Sequence, residues 1–424
     1  HCGLPIVLQL IEHYFLENGS ISFRRNCVKA RLMRKVLILS NKVPYPAKDG
    51  SSIAMARLLE NLIEMGDCHI TYGAINTIKH RKNIEDFPKN VLEKIALKTF
   101  EANTSPTVFN GFSNLLFSKR PFHTVRFHLP EVQHWLKSFE SGTFHTVILE
   151  GAFMGDYLYD VQRIGNRVVL RAHNLEHLIW ERTTKNESFA LKKWYLNLQA
   201  QRLKKFEEML TREVDAVWSI SPVDSNWFVA LNAQTFFVPV SVASISRSGE
   251  IKEKKCFFLG ALDWMPNLES VEWFLSKVWP LVYASDPSIE FHLSGNKTPS
   301  HLMNVNLPGV TVHGRVTSAE EFVKNHGISV IPLLSGSGVR IKLLENGSFG
   351  IPTVSTSIGA EGVYSASDSI IPIADDAESF AKQVVKLCTD SAKATAVAEA
   401  LHEDISRKFS SANSIQAILS AWPN

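Results

Sequence analysis

Apolar runs alternate with amphipathic stretches from Lys35 to the end of the chain, a pattern that predicts alternating β-strands and α-helices. The apolar runs are nearly continuous, which is typical of parallel strands covered by helices on both faces. We therefore predict an α/β protein with two Rossmann-like halves. The predicted strands are 36–40, 69–75, 147–150, 167–171 and 216–220 in the first half, and the segments that begin at 256, 291, 310, 328 and 352 in the second.

The same pattern divides the chain into four segments. Residues 1–32 precede the first convincing strand and are predicted to be a leader or extension. Six of the twelve residues from Arg24 to Lys35 are Lys or Arg, so this segment is either disordered or in contact with anionic lipid. Residues 33–245 form the first domain, and a linker through Arg247, Ser248 and Gly249 leads to the second domain, 250–405. Residues 406–424 form a last helical segment.

Composition excludes several classes of protein. The 424 residues are 45% hydrophobic, which is enough for two sizeable cores. A net charge of +3 is too small to indicate a nucleic-acid partner. The five cysteines are scattered without C-x-x-C or Cys/His pairs, so neither a disulfide framework nor a structural zinc is indicated. No stretch approaches the roughly 18 apolar residues of a membrane-spanning helix, and the reduced cytoplasm is the expected location.

Residues 328–362 carry the clearest chemistry. They read as a strand (328–334), a Ser/Gly loop (335–338), a helix that carries Arg340, Lys342 and Glu345, and a turn at Gly350 before the next strand. Glycines at the start of a helix allow backbone N–H groups to approach an anion, and the helix N-terminus favours negative charge. A cation suits phosphate and a carboxylate suits sugar hydroxyls. This segment therefore predicts a nucleotide-sugar site.

The segment resembles the donor signature of retaining group 1 glycosyltransferases, the large family 4 type with the GT-B fold. The matching positions are Pro332, Gly336, Ser337, Gly338, Arg340, Lys342, Glu345, Gly350, Pro352, Ser355, Thr356, Gly359 and Gly362. The resemblance implies two Rossmann-like domains with parallel sheets that face each other across a cleft. It also implies that the last helix crosses back to the first domain.

Two departures from the family pattern affect the donor site. The family often has two glutamates separated by seven residues, but Ser337 stands eight positions before Glu345. The resemblance therefore assigns ribose to Glu345 and leaves the sugar to Ser337 and backbone groups. Many relatives also have an Arg and a Lys after the first strand of the second domain, where this chain reads GALDWMPN (260–267). Arg340 and Lys342 are then expected to balance the diphosphate charge.

The resemblance assigns further residues beyond the carboxyl ends of strands, where ligands of open α/β sheets gather. In the first domain, R-x-H-N-x-E places His173 near the donor sugar, although a structural histidine remains the alternative. A glycine-containing loop at a helix N-terminus is expected to face the acceptor, and two turns are expected to hold the nucleobase. The loop is Asp49, Gly50 and Ser51, and the turns contain Gly295, Arg315 and Val316.

We therefore expect a glycosyltransferase that moves a sugar from a nucleoside diphosphate sugar to a glycan or lipid-linked acceptor with retention of configuration, in surface polysaccharide biosynthesis. No D-x-D signature is present, so no metal and no cofactor is expected. A GT-B sugar-nucleotide epimerase and a non-catalytic nucleotide-sugar-binding subunit are the alternatives. The segment 188–210 reads as a helix packed on the first domain or as a basic amphipathic surface for peripheral membrane contact.

Overall fold

The computed structural model describes residues 33–78, 81–105, 107–243 and 251–422. The predicted leader (1–32) and the predicted linker residues Arg247, Ser248 and Gly249 lie outside the described residues. Within the described part, two sheets are present. The first sheet contains β1 Arg34–Ser40, β2 Cys68–Thr77, β3 Ile95–Ala102, β4 Thr146–Glu150, β5 Val168–Ala172, β6 Ala216–Ser219 and β7 Thr235–Phe237. The second contains β8 Lys255–Leu259, β9 Glu290–Ser294, β10 Val310–Gly314, β11 Ile328–Ile331 and β12 Thr353–Ser355.

Both sheets have Rossmann-like topology, as predicted. The strand orders are β3-β2-β1-β4-β5-β6-β7 and β10-β9-β8-β11-β12, and all strand pairs are parallel. The order reverses between β1 and β4 and between β8 and β11, which are the places where such sheets bind ligands. The sequence pattern did not predict β3 or β7, because these edge strands lack a continuous apolar run. In β3, exposed and less exposed residues largely alternate.

Helices connect the strands and cover both faces of each sheet. In the first domain they are α1 Gly50–Met65, α2 Lys89–Leu92, α3 Val108–Phe117, α4 Phe122–Val125, α5 Pro130–Lys137, α6 Leu158–Ile164, α7 Glu176–Asn186, α8 Ala190–Glu213 and α9 Pro222–Ala230. The later helices are α10 Met265–Trp273, α11 Trp279–Ser285, α12 Ser300–Met303, α13 Ala319–Lys324, α14 Ile341–Phe349, α15 Ser357–Ala360, α16 Ala377–Thr389, α17 Ser391–Lys408 and α18 Ser411–Ala421. In the described part of the chain, no helix has both the length and the hydropathy needed to span a membrane.

The last helix, α18, packs on the first sheet rather than on the second. Ile418 is fully buried, and the rings of Trp422 and Trp218 lie with their centroids 5.6 Å apart. The Trp218 indole N–H also donates to the carbonyl of Ala421 at 3.3 Å. These contacts join the end of the chain to the core of the first domain.

Candidate active site between the two domains

The loop between β11 and α14 is built to meet the first domain. Gly336 and Gly338 have φ angles of +117° and +80°, which favour glycine. A Cβ on Gly338 would lie 2.5 Å from the carbonyl oxygen of His173 and 2.3 Å from Oδ1 of Asn174. Any larger residue would therefore push the loop away from the carboxyl end of β5. The Ser/Gly loop of the donor segment is thus seated directly against the first domain.

Arg340 is the N-cap residue of α14 rather than a helical residue, and its side chain folds back over the loop. The guanidinium donates to the carbonyls of Ser337, of Gly338 (3.1 Å) and of Ile358 (3.1 Å). It is 4% exposed, and its second terminal nitrogen lies 3.4 Å from Glu361. The sequence predicts Arg340 as a phosphate ligand, but here most of its donors hold the loop in shape. In this structure Arg340 shapes the loop, and its contact with phosphate stays a prediction.

A second guanidinium reaches this loop from the first domain. Arg182, on α7, donates to both carboxylate oxygens of Glu361 at 2.8 and 2.9 Å and to the carbonyl of Gly336. Glu361 therefore lies between Arg182 and Arg340. A paired Arg–carboxylate contact of this kind is geometrically specific. Sequence reasoning missed both residues of this bridge, although Glu361 stands between Gly359 and Gly362 of the donor signature.

Ser337 also links the two domains. Its hydroxyl accepts from the backbone N–H of Leu175 at 3.1 Å and donates to Asp224 at 3.4 Å, and the residue is 2% exposed. Burial, reinforced by Glu361, raises the pKa of Asp224 to about 7. The sequence predicts Ser337 as a contact to the donor sugar, but in this arrangement its hydroxyl is occupied by the first domain.

Lys342 supplies a cation where the sequence of the GALDWMPN loop has none. Its ammonium donates to Oδ1 of Asn267 at 3.0 Å and lies 4.1 Å from the ring centroid of Phe258. A Cβ on Gly260 would come within 3.1 Å of this ammonium, so glycine there leaves room for the lysine. Burial, together with the nearby Arg340, lowers the pKa of Lys342 to about 7. A negative ligand at this position would restore its charge.

Glu345 lies one turn beyond Lys342 on the same side of α14. Burial raises the pKa of its carboxyl to about 7, although Arg57 on α1 and Lys342 oppose this shift. Among the residues that the structure describes, none donates a hydrogen bond to the Glu345 side chain. A half-buried carboxyl group without hydrogen-bond donors is costly to ionise, so hydroxyl groups of a ligand would stabilise its charged form.

The predicted acceptor loop meets the donor helix. Asp49 caps α1 by accepting from the backbone N–H of Ser52 at 3.0 Å, and it forms an ion pair with Lys42 at 2.9 Å. Although burial opposes it, these contacts hold the pKa of Asp49 well below its usual range. A Cβ on Gly50 would lie 3.3 Å from the Ile341 side chain. The N-terminus of α1, where Ser51 lies, therefore faces the same region as the N-terminus of α14.

His173 belongs to a buried polar triad at the carboxyl ends of β4 and β5. Its Nε2 lies 2.5 Å from Glu150, and Arg171 donates to both oxygens of Glu150 at 3.2 Å. Burial dominates the lowering of the His173 pKa, so the ring is neutral at pH 7. Because an ionised carboxylate only accepts, Nε2 carries the proton and Nδ1 keeps a lone pair. Sequence reasoning missed Glu150. It could have been found, because it is a carboxylate at the end of an otherwise apolar strand.

The turns predicted to hold the nucleobase lie beside the GALDWMPN loop, which Lys342 contacts. Gly295 packs so closely that a Cβ would lie 2.2 Å from the carbonyl oxygen of Gly260. Its N–H donates to the carbonyl of Gly314 at 2.9 Å, which joins the loops after β8, β9 and β10. Arg315 is exposed, and Val316 is half-buried against the apolar cluster around Phe257. These backbone contacts bring the three loops together at one edge of the second sheet.

Comparisons with known proteins agree with this geometry. Residues 253–390 match the family of group 1 glycosyl transferases. The chain is 23% identical over 371 residues to a Klebsiella pneumoniae protein described as an uncharacterized 44.6 kDa protein in the cps region, covering 83% of this chain and 90% of that protein.

Solved structures with the same architecture cover nearly the whole chain. TarM superposes with a TM-score of 0.67 at 11% identity, covering 92% of this chain and 99% of that chain. Sucrose-phosphate synthase from Thermosynechococcus elongatus gives 0.63 at 14% identity, over 92% and 98%. The pneumococcal O-GlcNAc transferase GtfA, in complex with UDP and GlcNAc, gives 0.59 at 12% identity, over 91% and 98%. At these identities the likeness shows the fold, which is GT-B.

Proposed function

We propose that the protein transfers a sugar from a nucleoside diphosphate sugar to a glycan or lipid-linked acceptor, with retention of configuration. Two findings support this proposal: residues 253–390 match the group 1 glycosyl transferase family, and the fold is GT-B. Surface polysaccharide synthesis is the proposed setting, in keeping with the relative in a cps region. The structure of GtfA contains UDP and GlcNAc, which supports the donor class.

The observation that carries this proposal is the pair Lys342 and Glu345. Both side chains are half-buried, both have pKa values moved to about 7 by desolvation, and no ion pair joins them to each other or to another described residue. Partly desolvated charges without an ion-pair partner are unfavourable unless a ligand compensates them. A diphosphate beside Lys342 and a ribose beside Glu345 compensate both at once.

In the proposed reaction, the bond between the sugar and the diphosphate breaks while the acceptor hydroxyl attacks from the same face. The acceptor proton passes to the departing diphosphate oxygen, so the step needs no side-chain base. Backbone N–H groups at the start of α14 and the Lys342 ammonium stabilise the charge that grows on the leaving group. Arg340, Arg182 and Glu361 hold the Gly336–Gly338 loop in the required shape.

The test is a panel of nucleoside diphosphate sugars, measured first by thermal shift and then by product analysis with glycan and lipid-linked acceptors. We expect one donor to stabilise the protein and to be consumed only when an acceptor is present. Conversion of the donor to an epimer without acceptor would indicate an epimerase. Binding without turnover on any acceptor would indicate a non-catalytic subunit.

The His173→Ala change should separate sugar chemistry from nucleotide binding. His173 lies in the first domain with its Nδ1 lone pair unused by described residues, so we expect it to accept a hydrogen bond from the transferred sugar. Loss of this contact should lower turnover by about 10-fold, near 1.4 kcal/mol, and leave nucleoside diphosphate affinity within about 2-fold of the unaltered protein. Transfer kinetics and nucleotide titration measure the two effects, and equal losses would assign His173 a structural role.

We also propose that the first domain contacts an anionic membrane surface. Large apolar side chains are exposed on α3 and around the start of α8: Leu116, Phe117, Phe189, Leu191 and Trp194. Exposed basic residues accompany them: Lys119, Arg120, Lys192 and Lys193. The helices α3 and α8 are neighbours, since Arg202 of α8 donates to the Leu115 carbonyl of α3 at 3.3 Å. Apolar and basic side chains on neighbouring helices favour binding to negatively charged lipid.

Vesicle flotation tests this contact. We expect the protein to float with vesicles that contain phosphatidylglycerol, to float less with pure phosphatidylcholine, and to be released by salt. The double change Phe189→Ser and Trp194→Ser should lower partitioning at least about 10-fold, because each buried apolar side chain contributes about 1.5–3 kcal/mol. Tyr159→Ser, at an 85% exposed residue on α6, is the matched control. Equal partitioning of all three proteins would contradict the proposal.

A further inference from the structure

Three histidines that are distant in sequence meet on one face of the second sheet. His292 lies in the middle of β9, His313 lies on the neighbouring β10, and His326 follows α13, which covers this face. One ring nitrogen of each histidine lies within 4.8 Å of the others. The rings of His292 and His326 have centroids 4.3 Å apart. None of these residues belongs to the proposed transfer site.

The hydrogen bonds of this cluster prepare lone pairs for a ligand. Nε2 of His292 lies 3.2 Å from the Glu290 carboxylate, which only accepts, so Nε2 carries the proton and Nδ1 has the lone pair. Nδ1 of His326 lies 2.6 Å from the carbonyl oxygen of Phe322, so its Nε2 has the lone pair. Carboxylate and carbonyl partners of this kind orient metal-bound histidines in proteins.

The third histidine completes the set. Nε2 of His313 donates a hydrogen bond to Nδ1 of His292 at 3.0 Å, and the exposed His313 ring also contacts Phe322. A metal ion between the two nitrogens would replace this hydrogen bond, with the His313 proton moving to Nδ1. Two imidazole nitrogens that bind one tetrahedral zinc ion lie about 3.3 Å apart, given zinc–nitrogen bonds of about 2.0–2.1 Å. The spacing between His292 and His313 is close to this value. A modest rotation of the other rings would close the remaining distance.

We propose that His292, His313 and His326 bind a divalent zinc ion, with Glu290 orienting His292 and a water molecule in the fourth position.

The ion would join β9, β10 and the segment after α13. Its ligands are not among the residues proposed to contact the phosphate or the ribose, so its expected role is to stabilise this edge of the sheet. The sequence has neither a D-x-D signature nor cysteines at zinc-binding spacings, so it predicts no metal site. Histidines 21 and 13 residues apart have no such local signature, and the fold brings them together.

The experiment uses the untagged full chain, freed of metal with a chelator and then dialysed. Calorimetric titration with Zn²⁺ should show one site per chain, and Co²⁺ should give the visible absorption of tetrahedral coordination. His313→Gln changes an exposed ligand, and we expect at least about 100-fold weaker Zn²⁺ binding. Glu290→Gln, at a residue whose side chain is 53% exposed, should weaken binding about 10–100-fold.

His301→Gln is the matched control, because His301 is an exposed histidine of the same domain, paired with Glu272. It should bind Zn²⁺ like the unaltered chain. The proposal is overturned by the absence of one-site binding, by unchanged affinity in His313→Gln, or by an equal loss in His301→Gln. Circular dichroism of each variant shows whether it folds. Among the folded variants, only His301→Gln should keep the Co²⁺ absorption of the unaltered chain.

Discussion

Replacing Lys342 with glutamine is expected to lower the rate of sugar transfer by at least about 100-fold, near 2.7 kcal/mol. The ammonium lies at the loop of Gly260 and Asn267, beyond the carboxyl end of β8, where the proposed diphosphate leaves. Charge on that group grows as the glycosidic bond breaks, so a cation there stabilises the transition state more than the bound donor. The loss should therefore appear mainly in kcat, with a smaller change in donor KM.

Lys297→Gln is the matched control for this experiment. Lys297 is an exposed cation in the loop after β9, and it forms an ion pair at 3.1 Å with Asp263 of the GALDWMPN loop. We expect its replacement to change transfer less than about 3-fold, because an exposed ion pair contributes about 0–1 kcal/mol. Near-normal turnover in Lys342→Gln would place the phosphate site elsewhere, at Lys297 or Arg315. A large loss in Lys297→Gln alone would select the first of these.

Arg340→Gln is not an equivalent test, although the sequence suggests that it is. The guanidinium of Arg340 holds the carbonyls of Ser337 and Gly338 and lies beside Glu361. Its removal would alter the loop as well as any phosphate contact. Loss of activity in that variant would therefore report on loop geometry and charge together, whereas Lys342 reports on charge at one atom.

Sequence reasoning succeeds for features that depend on neighbouring residues of the chain. Continuous apolar runs predicted the parallel strands, and the glycines of the donor signature predicted the turn at the start of α14. These features are local, because a strand or a left-handed glycine is set by a few neighbouring residues. The family resemblance also named Lys342 and Glu345 together, because one helix carries both.

Contacts between domains could not be predicted in the same way. The bridge from Arg182 to Glu361 spans 179 residues of sequence, and the hydrogen bond from Leu175 to Ser337 spans 162. Periodicity carries no information about such pairs. The sequence names Lys342 and Arg340 together as the cations that replace those missing from the GALDWMPN loop, but it does not show that only Lys342 contacts that loop, through Asn267. Side-chain direction, rather than residue type, decided these outcomes.

Replacing Glu345 with alanine should weaken nucleoside diphosphate binding by about 10–150-fold, the loss expected for hydrogen bonds to a charged group of about 1.5–3 kcal/mol. The carboxyl has a pKa raised to about 7 by burial, and no described residue donates to it. Ribose hydroxyls that donate to it favour the ionised form. Nucleotide binding should therefore lower this pKa and release a proton near pH 7.

The pH dependence of affinity follows from the signs of these shifts. Below about pH 7, binding must remove a proton from Glu345, so affinity falls as pH decreases. Above about pH 7, Lys342 loses the proton that the diphosphate favours, so affinity falls as pH increases. In Glu345→Gln the loss of affinity at low pH should be smaller. The part that remains is due to the terminal phosphate of the nucleotide, whose second pKa is about 6. The loss of affinity at high pH should remain and begin at a lower pH, because the Glu345 carboxylate no longer raises the pKa of Lys342.

A ligand control makes the Glu345 assignment specific to ribose. The nucleoside diphosphate and its 2′-deoxy analogue are titrated against the unaltered protein and Glu345→Ala between pH 5.5 and 8.5. If the carboxylate accepts from the 2′-hydroxyl, removing either partner removes the same hydrogen bond, so the mutation should cost clearly less with the deoxy analogue. Equal losses with both ligands would move the contact of Glu345 to the 3′-hydroxyl. Unchanged affinity for both ligands in the folded variant would reject Glu345 as a ribose ligand, and the compensation argument for the Lys342–Glu345 pair would then fail.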